Sequence, residues 1–307
     1  KLKSKSSNTP KRDKLKGFLI TFLSLIIFLA PLGIGFWMIK KFLIEYLEIY
    51  GILIYILVIA VFFKSSFAIR CLRDSTIPIA REIENGELSK AKSYLNMIVR
   101  RDPKDLTEEQ VISAAVESIA ESSVDGITSP IFFFFIFNLV GCFFGIEWTF
   151  LGVLGAIGFR IINTLDSMVG YKTPEYINIG WFSARSDDVL NYLPERLTTI
   201  LMIPATSISR QNSSNAFRIL RRDRNKIESV NAGWSMSCMA GALEVQLEKP
   251  GYYQLGDPIE SLKANHIKIS LKIIFITLIL FLISMISIIF LIQYFWFDIM
   301  LKDVFIW

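Results

Sequence analysis

Three stretches of the chain combine acidic, basic and amide side chains at spacings that chemistry can use. In AVESIAESSVDGITSP, Ala115 to Pro130, Glu117 and Glu121 lie four residues apart and share a face if the segment is helical. Like charges at that spacing repel unless a cation lies between them. Asp125 follows about a turn later, beside a turn expected at Gly126. Three carboxylates converging there suit a hard cation such as Mg²⁺, which takes oxygen ligands and keeps water. The same spacing also fits an ordinary solvated helix face.

The second stretch, NTLDSMVGYKTPEYINIGWFSARSDDVLNYLPERLT, runs from Asn163 to Thr198. Asn163 and Asp166 leave an apolar helix together. Lys172 and Arg185 offer charge to phosphate oxygens, while Gly170 and Gly180 permit close backbone approach. Ser186 is placed to cap a helix begun by Asp187 and Asp188, whose charges favour such an N-terminus. The third stretch, Ser229 to Gly256, sets Asn231, Gly233 and Trp234 before a small-residue helix expected over 235–247, with Gly-Tyr-Tyr at Gly251 to Tyr253. Trp234, Tyr252 and Tyr253 suit either stacking on a planar ligand or a membrane interface.

The elements that must position these residues are read from the hydropathy. The chain has 307 residues, 52% of them apolar, and its net charge is +5. The apolar residues fall in long blocks, which is the signature of bilayer spans. Spans are expected near 17–39, 49–67, 131–145, 148–163 and 269–297, with a break at Gly145 to Glu147. The segment Thr198 to Ile208 is apolar but too short to span. Gly152, Gly155 and Gly158 repeat every three residues, which points to close helix packing. Asn85-Gly86 separates two amphipathic stretches, and Thr107 with Gln110 forms a capping-box signature.

Basic residues concentrate in 70–129 and 209–268 and in the N-terminal run KLKSKSSNTPKRDKLK, so these segments and 164–197 are expected on the cytoplasmic side. The expected fold is therefore all-α: one polytopic α-helical membrane domain over 1–307, with about five spans and helical cytoplasmic loops. Basic residues beside apolar blocks are explained by anionic lipid, not nucleic acid. Cys71, Cys142 and Cys238 are too scattered for a zinc site or a disulfide framework, and one histidine, His266, excludes motifs that need two. Neither a GxxxxGK[ST] run nor a GxGxxG after a strand is present.

The three strings, in this order and between these spans, resemble the adenosylcobinamide-phosphate synthase family of cobalamin biosynthesis, over about Arg70 to Gly256. The resemblance implies an ATP-dependent amide ligation joining aminopropanol phosphate (or aminopropanol) to the free propionate of adenosylcobyric acid. It implies Mg²⁺ with ATP, and a cell-membrane location beside neighbouring enzymes of the same pathway. Residues are assigned on that basis: Glu117, Glu121 and Asp125 to metal; Asp166, Lys172 and Arg185 to catalysis; Asn163, Asn231 and Trp234 to substrate. It also implies a natural start upstream of Lys1. The alternative is a non-catalytic membrane sensor or scaffold of the same fold. A transporter would place ionisable groups inside its spans, and these are almost clean.

Overall fold

A computed structural model describes residues 10–99, 102–144 and 150–304. The expected break at Gly145 to Glu147, and the first part of the basic N-terminal run, lie outside the described residues. The chain forms two compact units, residues 1–67 with 129–192, and residues 68–128 with 193–307.

The first unit opens with α1 (Pro10–Ser65), which is two helices joined at Glu48, where φ is 45° and ψ is −120°. The join reverses the chain. Phe36 and Phe62 meet edge to face with ring centroids 5.0 Å apart, whereas a straight helix at about 1.5 Å per residue would hold them about 39 Å apart. A Cβ at Gly51 would strike the carbonyl of Leu43, so the reversal requires glycine there. The apolar runs 17–39 and 49–67 thus form the two limbs of a helical hairpin. Phe36, Leu43, Tyr55 and Ile59 pack with Phe150 and Val153 of α6 (Phe150–Val169) into one core. Their opposite faces stay open, with Ile27 at 63% and Leu57 at 65% exposure, as expected of side chains that meet lipid rather than water.

Helix α5 (Ser129–Phe143) packs against α6 through the glycines singled out by their spacing. A Cβ at Gly155 would lie 2.6 Å from the Phe137 ring and 2.8 Å from the Phe133 carbonyl, and one at Gly152 would press on the Phe134 carbonyl at 2.6 Å. Gly158 faces Leu29 of α1. The three glycines are therefore packing positions.

The second unit begins with α2 (Ile69–Glu84) and α3 (Leu88–Leu95), separated by Asn85 and Gly86. α4 (Glu108–Ser123) starts at the expected capping box: the Gln110 N–H donates to the Thr107 hydroxyl, and the Thr107 N–H donates to the Gln110 side chain. Thr107→Ala should cost about 1 kcal/mol, read as a fall of a few degrees in the unfolding midpoint in detergent. An unchanged midpoint would show that the box is not formed.

The turn expected at Gly126 is a π-helical turn, Val124–Thr128, that runs on into α5 without a break. α7 (Trp181–Ile208) contributes residues up to Tyr192 to the first unit and the remainder to the second. The short apolar segment 198–208 is its C-terminal end, with Thr198, Met202, Ala205 and Thr206 buried. α8 (Ser213–Asp223) lies on α9 (Gly233–Leu243), with the Asn215 amide donating to the Gly241 carbonyl at 2.8 Å. α9 stops four residues short of the expected end. Glu244 turns left-handed, and an antiparallel pair, β1 (Leu247–Lys249) and β2 (Tyr253–Leu255), follows around Gly251. α10 (Ala264–Val304) packs against α2 and α4.

Among the described residues, four helical stretches are long and apolar enough to cross a membrane: Pro10–Glu84, Glu108–Phe143, Phe150–Val169 and Ala264–Ile292. The first of these contains the hairpin at Glu48.

Candidate functional site

In the first unit the polar residues of the second string gather where α6 ends and α7 begins. The intervening loop turns back on α6: a Cβ at Gly170 would strike Asp166, and one at Gly180 would strike the Val169 carbonyl. These glycines are required by the chain's own close approach, with no ligand needed to explain them. Trp181, not Ser186, starts the helix, so Asp187 and Asp188 lie in its second turn and do not serve as an N-terminal acidic pair. The indole of Trp181 is covered instead by the Lys14 ammonium, 4.7 Å from the ring centroid.

Asp187 is the centre of a chain of hydrogen bonds. Its Oδ1 accepts from the Asn163 amide at 3.1 Å and its Oδ2 from the Asn191 amide at 3.0 Å. Arg160 donates to the Asn163 carbonyl oxygen at 3.2 Å, and Ser129 donates to that of Asn191 at 2.6 Å. Burial pushes the Asp187 carboxyl up to about 6; the two amides oppose the rise, and Asp166 and Asp188 add to it. Asp188 is also raised by burial, but Arg185 and then Lys172 pull it down. Arg185 stands 3.6 Å from Asp188. Asn163, Asp166, Lys172 and Arg185 are thus neighbours of one acidic pair on α7.

The second unit holds the remaining residues named from the sequence. Glu117 is buried, its two oxygens accepting from Ser113 at 2.7 Å and from the Tyr253 hydroxyl at 2.9 Å. Ser113 also accepts from the Glu248 N–H at 2.8 Å, so Glu117 fastens β1 and β2 to α4. Glu121 is exposed and Asp125 sits in the π-helical turn. Among the described residues no group of three or more His, Cys, Asp or Glu side chains is arranged to hold a metal ion. Glu117, Glu121 and Asp125, expected from the sequence around a cation, are therefore not arranged as a ligand group.

Asn231 accepts from Arg196 at 2.7 Å. Trp234 is flanked by cations, with the guanidiniums of Arg196 and Arg224 at 4.8 and 5.0 Å from its ring. Lys249 similarly covers Tyr252 at 4.7 Å. Of the three aromatic rings expected to offer a stacking surface, Trp234 and Tyr252 already have cations against them, and the Tyr253 hydroxyl is bonded to Glu117.

Sequence reasoning missed Asn191, Glu195, Arg196 and Arg224. Glu195 is buried, and its Oε1 accepts the Ser235 N–H at 2.9 Å in the first turn of α9, where no side chain caps Ala232. Burial pushes Glu195 up to about 7, partly opposed by Ser235. The signal was available: Asp187, Asn191 and Glu195 recur every four residues along α7. On a helix that spacing places all three on one face.

These observations define a class: an all-α polytopic membrane protein. Within that class the chain belongs to the CobD/Cbib protein family, which matches residues 1–281. The probable cobalamin biosynthesis protein CobD of Methanothermobacter thermautotrophicus is 39% identical over 229 residues, covering 75% of this chain and 72% of that one. The cobalamin biosynthesis protein CobD of Dehalococcoides mccartyi is 38% identical over 258 residues, covering 84% and 76%. That of Thermoplasma acidophilum is 40% identical over 219 residues, covering 71% and 67%. No solved structure matches.

Proposed function

We propose that this protein is the amide ligase of cobalamin biosynthesis that joins aminopropanol phosphate, or aminopropanol, to the free propionate of adenosylcobyric acid with consumption of ATP. Family membership supports its place in cobalamin biosynthesis. The observation that carries the ligase reading is the polar cluster at the α6–α7 turn. There Asn163, Asp166, Lys172, Arg185 and Asp187 combine phosphate-binding cations with a half-buried carboxylate.

Amide formation from a carboxylate is uphill in water, so the propionate must be activated, and an acyl phosphate is the simplest form. Its formation concentrates negative charge on phosphate oxygens, which fixed cations stabilise. Lys172 and Arg185 are assigned that role. Mg²⁺ brought with ATP would neutralise charge on the phosphate oxygens. Glu117, Glu121 and Asp125 are the carboxylates assigned to hold it. The active segments are assigned to the cytoplasmic face of the cell membrane, where ATP and the corrinoid precursor are found, by the excess of lysine and arginine in 70–129 and 209–268.

The test is ligase turnover with ATP, Mg²⁺ and both substrates in protein purified in detergent, together with binding of adenosylcobyric acid followed by its visible spectrum. Lys172→Ala and Glu121→Gln are each expected to lower kcat/KM by about 10²-fold. Near-wild-type rates in both remove this site. Absence of corrinoid binding, with or without ATP and Mg²⁺, argues for the sensor or scaffold alternative.

A further inference from the structure

Aminolysis of an activated acyl group needs a proton acceptor, because the amine reaches neutral solution as an ammonium ion. The lone histidine, His266, lies near the start of α10 in the second unit, where its Nδ1 accepts from the Lys263 N–H at 3.0 Å. The first unit offers a better-placed group. Asp187 is half-buried. Each of its oxygens is held by one neutral amide. A carboxylate oxygen has two lone pairs, so each retains accepting capacity.

The amides are themselves fixed. Arg160 has no acceptor, so its bond to Asn163 Oδ1 settles which end of that amide faces Asp187. Ser129 supports Asn191 in the same way from the start of α5. The carboxylate is therefore positioned to within its hydrogen bonds without being neutralised. Arg185 and Lys172 act on Asp188, and Asp166 faces Asp187 with a second negative charge. A carboxylate kept for structure alone would gain by a cation in contact. This one is surrounded by neutral donors and like charge, the arrangement that readies an acid for proton transfer near neutral pH.

We propose that Asp187 is the proton acceptor for the amine substrate in the aminolysis step, with Asn163 and Asn191 as its positioning residues. This rests on the ligase reading above. The Asp166–Asp187 pair attracts the ammonium end, and Lys172 and Arg185 suit a phosphate at the other end of the same small amine. The bound ammonium first passes one proton to an oxygen of Asp187, and the nitrogen lone pair so freed bonds to the acyl carbon. The carbon–oxygen bond to phosphate then breaks. The phosphate leaves with the electron pair and the second nitrogen proton, and Asp187 returns its proton to water.

The experiment separates the two halves of the reaction in the full chain. Hydroxylamine, already neutral near pH 7, traps an acyl phosphate as the hydroxamate without needing an acceptor. For Asp187→Asn, hydroxamate formation from adenosylcobyric acid, ATP and Mg²⁺ should stay within about threefold of wild type. Amide formation with aminopropanol phosphate should fall by about 10²-fold or more, and its acid limb between pH 5 and 7 should disappear. Asp187→Glu should recover at least about tenfold of the lost aminolysis. If Asp187→Asn cannot be purified, Asp187→Glu alone must slow aminolysis more than trapping. Equal loss of both half-reactions would assign Asp187 a structural role, and unchanged aminolysis would also overturn the proposal. A wild-type protein that forms neither hydroxamate nor amide removes the ligase reading itself, and the acceptor role with it.

Discussion

Asp223→Ala should lower the unfolding free energy by about 1–3 kcal/mol, the range for leaving a buried donor unsatisfied, since the cations left behind are partly exposed. Asp223 has no exposed surface. Its oxygens accept from Arg222 at 2.7 and 2.8 Å, from Lys226 at 2.7 Å and from the Gly256 N–H at 2.8 Å. Gly256 has φ of +86°, and a Cβ there would strike the Val245 carbonyl. Arg222 reaches on to Asp257 at 2.7 Å. One carboxylate therefore ties the end of α8 to the strand exit, and alanine would leave an N–H and two cations without it.

The pH dependence of this tie has a definite sign. Burial alone would raise the Asp223 carboxyl, but its donors outweigh burial and hold it at about 2, against an ordinary 3.8. A depressed carboxylate stabilises the fold above its unfolded pKa, and that stabilisation is lost as pH falls from about 4 towards 2. The amount is about 1–2 kcal/mol after allowing for solvent screening of the partly exposed Arg222 and Lys226. Thermal unfolding in detergent at pH 7, followed by circular dichroism, should show the Ala variant melting well below wild type. Hydrogen exchange should place the loss in α8, α9 and the β1–β2 pair. A melt indistinguishable from wild type would show that the tie carries no stability.

Glu195→Gln should act in the opposite direction. The buried carboxyl is raised to about 7 from an ordinary 4.5, first by burial and further by Glu121, while Ser235 and Arg196 pull the other way. The folded state then holds its proton where the unfolded chain has released it. Stability falls as pH rises from about 4.5 through 7, by about 3 kcal/mol in all. Glutamine keeps an oxygen for the Ser235 N–H and has no proton to lose. Wild type and variant should unfold together near pH 5, and the variant should be more stable at pH 8. A variant less stable at pH 8 would mean that the ionised carboxylate has a partner worth more than its burial costs.

Local signals carried much of the fold. The capping box at Thr107 and Gln110 and the break at Asn85-Gly86 are short-range, and both stand where the sequence puts them. The glycine triplet in α6 is legible because close helix approach demands a missing side chain at a regular period. The start of α7 was misplaced because Ser186 before two aspartates satisfies the capping pattern. Trp181 begins the helix without such a signal, and its surroundings come from residues far off in sequence, Lys14 among them.

The three polar strings were evident by type and grouping from the start, as were the apolar helices beside them, whereas Asn191 and Glu195 were not singled out. Periodicity and composition act within one or two turns, so a single chain displays them without knowledge of its fold. Partners are another matter. That Asp187 is held by Asn163 and Asn191, that Glu117 fastens the β1–β2 pair, and that Trp234 lies under two arginines depends on contacts spanning up to about 136 residues. Both are buried, and their donors separate Glu195, which holds its proton to about 7, from Asp223, which releases its proton near 2. The sequence named the acids; desolvation and the donors facing each one, settled only by tertiary packing, determined what each acid does.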